Sequence, residues 1–312
     1  MSTIVQAENL SRFYGVVLGL NNVNFRIRRG ITGLVGPNGA GKTTLFRLLT
    51  GQVKPSSGTI TVFGGNPWNN PDVQARLAYC PESETVPAGL RPLEWLTGLG
   101  MISGLSASDA TKRANESLER VKLAPQYWKK RITTYSKGMR QRVKLAQCLM
   151  HAPELIILDE PMNGLDPMGR EEFSQVLREL ARDGTSVLIS SHILHDLEAL
   201  CSDFILLRWG RIPNAANQEV ASAETRKRWP EATTIRCEEP EKLARYLFDQ
   251  HLLRGCEIVP ESDTLHVRWR DAEQFYAGFD RYLLESGVRI FEVRSTATFL
   301  EKAVGPGPSL DS

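Results

Sequence analysis

The sequence predicts an α/β domain with parallel strands buried between helices, followed by a small α+β domain. Three observations carry that reading. Short β-branched runs alternate with helical stretches from Thr3 to Gly210. A glycine-rich loop lies between a buried strand and an amphipathic helix, at Gly36 to Thr44. After Asn217 the rhythm changes to strands and helices in the order β-α-β-β-α-β.

The clearest strands of the first domain are Gly33 to Val35 (within the run Ile31 to Val35), Leu155 to Asp159 and Ser186 to Ser190. All are continuous apolar runs rather than alternating ones, as expected for strands covered on both faces. From Pro87 to Ala152 no strand is convincing, and the segment reads as a helical subdomain inserted into the α/β core. Its helices are Arg91 to Ser103, Ser108 to Val121 with a Ser/Asp N-cap, and Lys137 to Met150. The first domain is thus expected over 1–211, with the helical subdomain at about 87–152. Residues 212–221, opening Ile212-Pro213-Asn214-Ala215-Ala216-Asn217, read as a linker.

The second domain is expected over 222–304. Strand Thr233 to Cys237 precedes helix Pro240 to Leu253; strands Glu257 to Pro260 and Thr264 to Trp269 flank the turn Glu261-Ser262-Asp263. Helix Asp271 to Glu285, strand Arg289 to Val293 and a closing helix, Ala297 to Val304, complete it. The order β-α-β-β-α-β is the split-βαβ, ferredoxin-like arrangement. Residues 305–312, with Gly305-Pro306-Gly307-Pro308, read as a disordered tail.

Composition narrows the function. The 312 residues suit about two domains. With 41 % hydrophobic and 24 % charged residues, the chain is neither a fibre nor a disordered solvating tail. Lys+Arg at 38 against Asp+Glu at 36 leaves +2, too little for a protein that coats nucleic acid, and no nucleic-acid partner is expected. Lys129-Lys130-Arg131 reads as a solvated face. No apolar run approaches the roughly 18 residues of a membrane span, and MSTIVQAENL lacks the features of a secretory signal. Five scattered cysteines without a CxxC pair point to a reduced compartment and away from zinc. His151, His195, His251 and His266 have no ligand spacing.

Gly36-Pro37-Asn38-Gly39-Ala40-Gly41-Lys42-Thr43-Thr44 matches G-x-x-x-x-G-K-[ST], in the strand–loop–helix context that motif needs. Its backbone N–H groups curl around phosphate oxygens, and the helix N-terminus adds partial positive charge. Lys42 is expected at the β- and γ-phosphates, and the Thr43 hydroxyl on Mg²⁺. Downstream, Leu155-Ile156-Ile157-Leu158-Asp159-Glu160 is an aliphatic strand ending in two carboxylates. Ending a buried strand that way is costly unless the charges meet a cation or activate a water. Asp159 is the expected Mg²⁺-side carboxylate, and Glu160 the general base for the attacking water.

Thr134-Tyr135-Ser136-Lys137-Gly138-Met139-Arg140-Gln141-Arg142 resembles the signature of ATP-binding cassette (ABC) ATPases. The rest of the cassette follows in register. Tyr14, in Arg12-Phe13-Tyr14-Gly15, is similar to the aromatic that stacks on adenine in that family. Asn163-Gly164-Leu165-Asp166 resembles the loop that bridges two cassettes, and Ser190-Ser191-His192 the switch histidine that contacts the γ-phosphate. These motifs cover about 200 residues. The resemblance implies a P-loop NTPase cassette with a RecA-like core and a dimer enclosing two MgATP. Ser136, Lys137, Gly138 and Met139 would meet the partner's ATP at the N-terminus of their helix. Tyr-Ser-Lys-Gly-Met and Glu-Pro-Met-Asn-Gly-Leu-Asp resemble the ATPase subunits of ABC-2-type exporters, as does the end Ser295-Thr296-Ala297-Thr298-Phe299-Leu300-Glu301.

Two departures stand out. Pro81-Glu82 replaces the family's usual glutamine, so Glu82 is a Mg²⁺ ligand only if its extra charge is tolerated beside triphosphate. Lys137 and Met139 replace a glycine and a glutamine of the signature without removing a backbone donor. Trp95 reads equally as a permease anchor or as core. The expectation is an ATP-hydrolysing subunit, cytoplasmic and peripheral on the inner face of the cell membrane. It would form a homodimer or pair with a related ATPase subunit, and drive a separately encoded permease. The alternative is a non-transport ABC ATPase acting on DNA or the ribosome. Such proteins usually carry a coiled coil or zinc modules between phosphate loop and signature, or two cassettes with a charged linker, and this chain shows neither.

Overall fold

The computed structural model describes residues 2–83, 86–212, 232–270, 274–275 and 278–295. The chain divides into two compact units, Met1–Ala221 and Ser222–Ser312.

The first unit contains two sheets. Strands β1 (Thr3–Tyr14) and β2 (Val17–Arg28) pair antiparallel, and β4 (Ser57–Val62) pairs antiparallel on the other edge of β1, in the order β2-β1-β4. This corrects the expectation of parallel strands from Thr3 onward. Only Gly15 and Val16 separate β1 from β2, and a parallel pair needs a crossover of a dozen or more residues. The second sheet is the expected parallel one, in the order β5-β6-β7-β3-β8. It contains β3 (Ile31–Val35), β5 (Leu77–Cys80), β6 (Leu155–Leu158), β7 (Ser186–Ser190) and β8 (Asp203–Leu206). Leu155, Ile156, Ile157 and Leu158 are all fully buried, so truncating any of them to alanine costs about 2–5 kcal/mol.

Helix α1 (Lys42–Leu49) follows β3, and its buried face, Leu45, Phe46, Leu48 and Leu49, joins Val5, Leu10 and Phe25 in one core. That shared core ties the antiparallel sheet to the phosphate loop. The remaining outer helices are α2 (Pro71–Gln74), α6 (Pro167–Arg182) and α7 (Leu194–Leu200).

The inserted segment is helical: α3 (Pro92–Ile102), α4 (Ala107–Arg120) and α5 (Lys137–Leu149). The N-cap of α4 is Ser106, whose Oγ accepts from the N–H of Asp109 at 3.1 Å, so the helix starts one residue earlier than the sequence indicated. Trp95 is half-buried and donates from Nε1 to Gln147 Oε1 at 3.1 Å, which binds α3 to α5. Among the described residues no helix is long and apolar enough to cross a membrane.

In the second unit β9 (Ala232–Cys237), α8 (Pro240–Asp249), β10 (Leu253–Val259), β11 (Thr264–Trp269), α9 (Phe279–Ser286) and β12 (Ile290–Ser295) follow in the β-α-β-β-α-β order. The sheet is antiparallel, in the order β10-β11-β9-β12. Helix α8 stops four residues earlier than expected, because Leu253 pairs with Trp269 and opens β10. Phe275 stacks on Trp269 at 3.7 Å in the core of this unit. The 213–221 part of the linker, the closing helix at Ala297 to Val304 and the tail lie outside the described residues.

Candidate active site

The C-terminal ends of β3, β5, β6 and β7 converge, which is where open α/β sheets place their ligand sites. Each strand end delivers one part. Beyond β3 comes the phosphate loop, beyond β5 comes Pro81-Glu82, beyond β6 come Asp159 and Glu160, and beyond β7 come Ser191 and His192. A cleft of about 300 Å³ is lined by Pro37 to Thr44, Glu82, Asp159, Glu160, Tyr14, Val17, Leu18 and Gly19.

In the loop, Gly41 has φ +106°, and a Cβ there would meet the carbonyl oxygen of Gly19 at 2.5 Å. Only glycine satisfies both the dihedral and the space. Lys42 lies nearly buried, donating to the Gly36 carbonyl at 2.7 Å, with its ammonium 3.8 Å from Glu160 Oε1. Thr43 and Thr44 open α1 beside it.

Asp159 and Glu160 are 7 % and 8 % exposed, so neither carboxylate is a solvated strand end. The Ser190 hydroxyl organises both. It donates to Asp159 Oδ1 at 2.8 Å and accepts from the Glu160 N–H at 2.9 Å. Burial pushes the Asp159 carboxyl above its usual range; the charges of Glu160 and Glu82 add to this, while the Ser190 hydrogen bond and Lys42 oppose it. The Tyr79 phenol, 3.5 Å from Asp159 Oδ2, is pushed up to about 12 by burial and then by the charge of Asp159. Glu160 has φ +48°, a left-handed conformation that costs a non-glycine residue about 1–3 kcal/mol. That backbone turn lets His192 reach the glutamate. His192 Nδ1 is 2.8 Å from Glu160 Oε2, and the His192 N–H donates to the same oxygen at 3.1 Å.

Glu82 lines the cleft and accepts from Asn163 Nδ2 at 3.3 Å, which connects it to the Asn163–Asp166 stretch. The Tyr14 ring also lines it, with the Arg12 guanidinium 4.7 Å from the ring centroid. Among the described residues no group of three or more His, Cys, Asp or Glu is arranged to hold a metal on its own. The oxygen donors at hand, Thr43, Asp159 and Glu82, suit a hard cation bound through a few protein oxygens and substrate phosphates.

Ser136, Lys137, Gly138 and Met139 do not line this cleft. With Gly164, Leu165 and Asp166 they line a second one of about 470 Å³. Ser136 Oγ caps α5 by accepting from the Met139 N–H at 3.3 Å. The Lys137 side chain lies across Gly164, whose φ is +70°. Asp166 caps α6, its Oδ1 accepting from the Gly169 N–H at 2.7 Å.

Sequence reasoning missed several residues. Ser190 enters the sequence reading as the end of a strand and as part of Ser190-Ser191-His192, without its role at the two carboxylates. Val17, Leu18 and Gly19 line the cleft with no local signature. Lys144 was legible only through periodicity, since it shares the buried face of α5 with Gln141, Leu145 and Cys148.

A phosphate loop at one strand end, with a buried Asp-Glu pair and a histidine at the neighbouring ends, defines the class: a P-loop nucleoside triphosphatase. The chain belongs to the ATP-binding proteins of ABC transporters, and it is an ABC ATPase. The ABC transporter family model matches residues 20–163. The bacitracin transport ATP-binding protein of Bacillus licheniformis is 32 % identical over 314 residues, 98 % of this chain and 99 % of that protein. The linearmycin resistance ATP-binding protein of Bacillus subtilis is 35 % identical over 212 residues, covering 67 % of this chain and 68 % of that one. Among solved structures, an ATP-binding subunit of an ABC transporter superposes with TM-score 0.60 at 30 % identity, over 68 % of this chain and 89 % of its own. The cbiO1 component of the Clostridium perfringens cbiONQ transporter complex superposes with TM-score 0.64 at 26 % identity, over 69 % of this chain and 88 % of its own.

Proposed function

We propose that this chain binds MgATP in the strand-end cleft and pairs with a second copy or a related ATPase subunit around two nucleotides. It drives a separately encoded ABC-2-type permease, as an exporter, from the cytoplasmic face of the membrane. The observation that carries the chemistry is the carboxylate of Glu160, held between Lys42 and His192 at the mouth of the phosphate loop.

In this reading Gly36 to Thr44 cradle the triphosphate and Lys42 leaves Glu160 for the β- and γ-oxygens. Tyr14 stacks on adenine, with Val17 and Leu18 beside it. Thr43, Asp159 and Glu82 would hold Mg²⁺, whose charge would offset that of the phosphates. Glu160 accepts a proton from the attacking water, and His192 orients the glutamate and contacts the γ-phosphate. Ser136 to Met139 present a helix N-terminus to the partner's nucleotide, while Gly164 to Asp166 line the same second cleft and, with Asn163, join the two halves. Closing on ATP and opening after hydrolysis move the interface and, with it, the permease. The transport reading is supported by relatives of matching length that carry transport ATP-binding names, and by a structural neighbour described as part of a transporter complex.

The test is a tagged Glu160→Gln chain purified with ATP from detergent-solubilised native membranes, followed by mass spectrometry. A stoichiometric multi-spanning protein is the expected companion. Recovery with ribosomes or DNA instead would reverse the transport reading and leave the ATPase chemistry standing.

A further inference from the structure

Lys144 is a charged side chain that the catalytic scheme does not use. It lies in the middle of α5, only 2 % exposed. A buried ammonium is costly unless its donors are satisfied and its charge is answered. Among the described residues no carboxylate forms an ion pair with it. Instead Nζ donates to three consecutive backbone carbonyls, Pro81 at 2.7 Å, Glu82 at 3.2 Å and Ser83 at 2.9 Å. An ammonium has three N–H donors, so this seat uses all of them. Three successive carbonyls aimed at one point define the path of the chain there, and that path carries the Glu82 side chain to the cleft wall near Asp159.

The same helix begins at Ser136 and Lys137, which line the second cleft. One rigid element therefore holds the signature segment at its first turn and the Glu82 loop two turns later. We infer that Lys144 is a positioning residue: it clamps the Glu82 loop to α5, so that the cation-side carboxylate and the signature segment move together. The inference rests on the MgATP reading above, and goes beyond it by assigning what holds Glu82 in place.

The test uses the full chain with Lys144→Met, which keeps the stem and removes the charge. Lys144→Gln serves the same purpose if the first variant does not fold. Two readouts are needed. Amide hydrogen exchange of the nucleotide-free protein should speed up in the peptide covering 80–83 and stay unchanged around the phosphate loop. The Mg²⁺ concentration for half-maximal hydrolysis should rise on the order of tenfold, the usual cost of removing a group that orients a metal ligand. In a Glu82→Ala background the substitution at 144 should add nothing to the Mg²⁺ requirement, whereas a merely structural role would make the two effects additive. Unchanged exchange at 80–83, or additive effects, would overturn the inference. A parent chain whose hydrolysis ignores Mg²⁺ would overturn the MgATP reading and the inference with it, a result distinguishable because it appears before any substitution is made.

Discussion

His192 grips Glu160 twice, through the ring Nδ1 at 2.8 Å and the backbone N–H at 3.1 Å, and both contacts fall on the same carboxylate oxygen. The other oxygen faces Lys42 at 3.8 Å. The glutamate is thus oriented by a backbone donor that no side-chain substitution removes, while its ring contact is free to leave when a phosphate arrives. His192→Ala should accordingly lower ATP turnover by about 10- to 100-fold with nucleotide affinity nearly unchanged. A loss of affinity as large as the loss of rate in a filter-binding assay would argue against this division.

Glu160→Gln keeps the shape and both hydrogen bonds from His192 but removes the proposed base. Turnover should fall by roughly 10²–10⁴-fold, binding should persist, and an ATP-dependent dimer should appear in size-exclusion chromatography. Hydrolysis at the parental rate would assign the base to another group.

Lys42→Ala removes the one ammonium among the described residues of the cleft wall. ATP affinity should fall by about 10- to 100-fold, as for one lost charge-assisted contact to phosphate. Near-normal affinity by calorimetry would mean that Gly36 to Thr44 does not hold the triphosphate.

Asp159 is costly to the empty fold. Its carboxyl is shifted up by burial and by neighbouring acids, so the folded chain binds this proton more tightly than the unfolded chain does. Stability from this group is therefore lost as pH rises from the ordinary carboxylate range through the raised value. Asp159→Asn should raise the nucleotide-free melting temperature at pH 7 by about 2 °C while abolishing Mg²⁺-dependent hydrolysis. The gain should shrink toward pH 4, and a gain independent of pH would refute the electrostatic account.

Gly164 has φ +70°, and a Cβ there would strike the Lys137 amine. Gly164→Ala should cost about 1–2 kcal/mol in backbone strain and lower the melting temperature by a few degrees. Adding Lys137→Gly should recover the steric part and leave the strain. Full recovery in a thermal melt would show that the dihedral at 164 is not strained for alanine.

Much of this site was legible in the sequence, because its chemistry sits in short contiguous segments. The phosphate-loop motif is nine consecutive residues that run from the end of a strand into the first turn of a helix, and Asp159-Glu160 closes an aliphatic run. Local spacing dictates backbone geometry there, so the motif and its structure coincide. The β-α-β-β-α-β order of the second unit was readable for the same reason, since each element carries its own period. The antiparallel β2-β1-β4 sheet was not, because β4 joins β1 across more than forty residues and no local pattern names a distant partner.

By itself, then, the sequence determined where the glycine-rich phosphate-loop motif lies, which carboxylates stand at the strand end, and that helices interrupt the α/β core. Those are properties of neighbours along the chain. Only the tertiary structure decided how they are held. Ser190 reaches Asp159 across 31 positions, His192 reaches Glu160 across 32, and Lys144 reaches the Pro81 carbonyl across 63. Such contacts exist because parallel strands bring their C-terminal ends to one edge, and because a buried charge or hydroxyl must find a partner wherever the fold leaves one within reach.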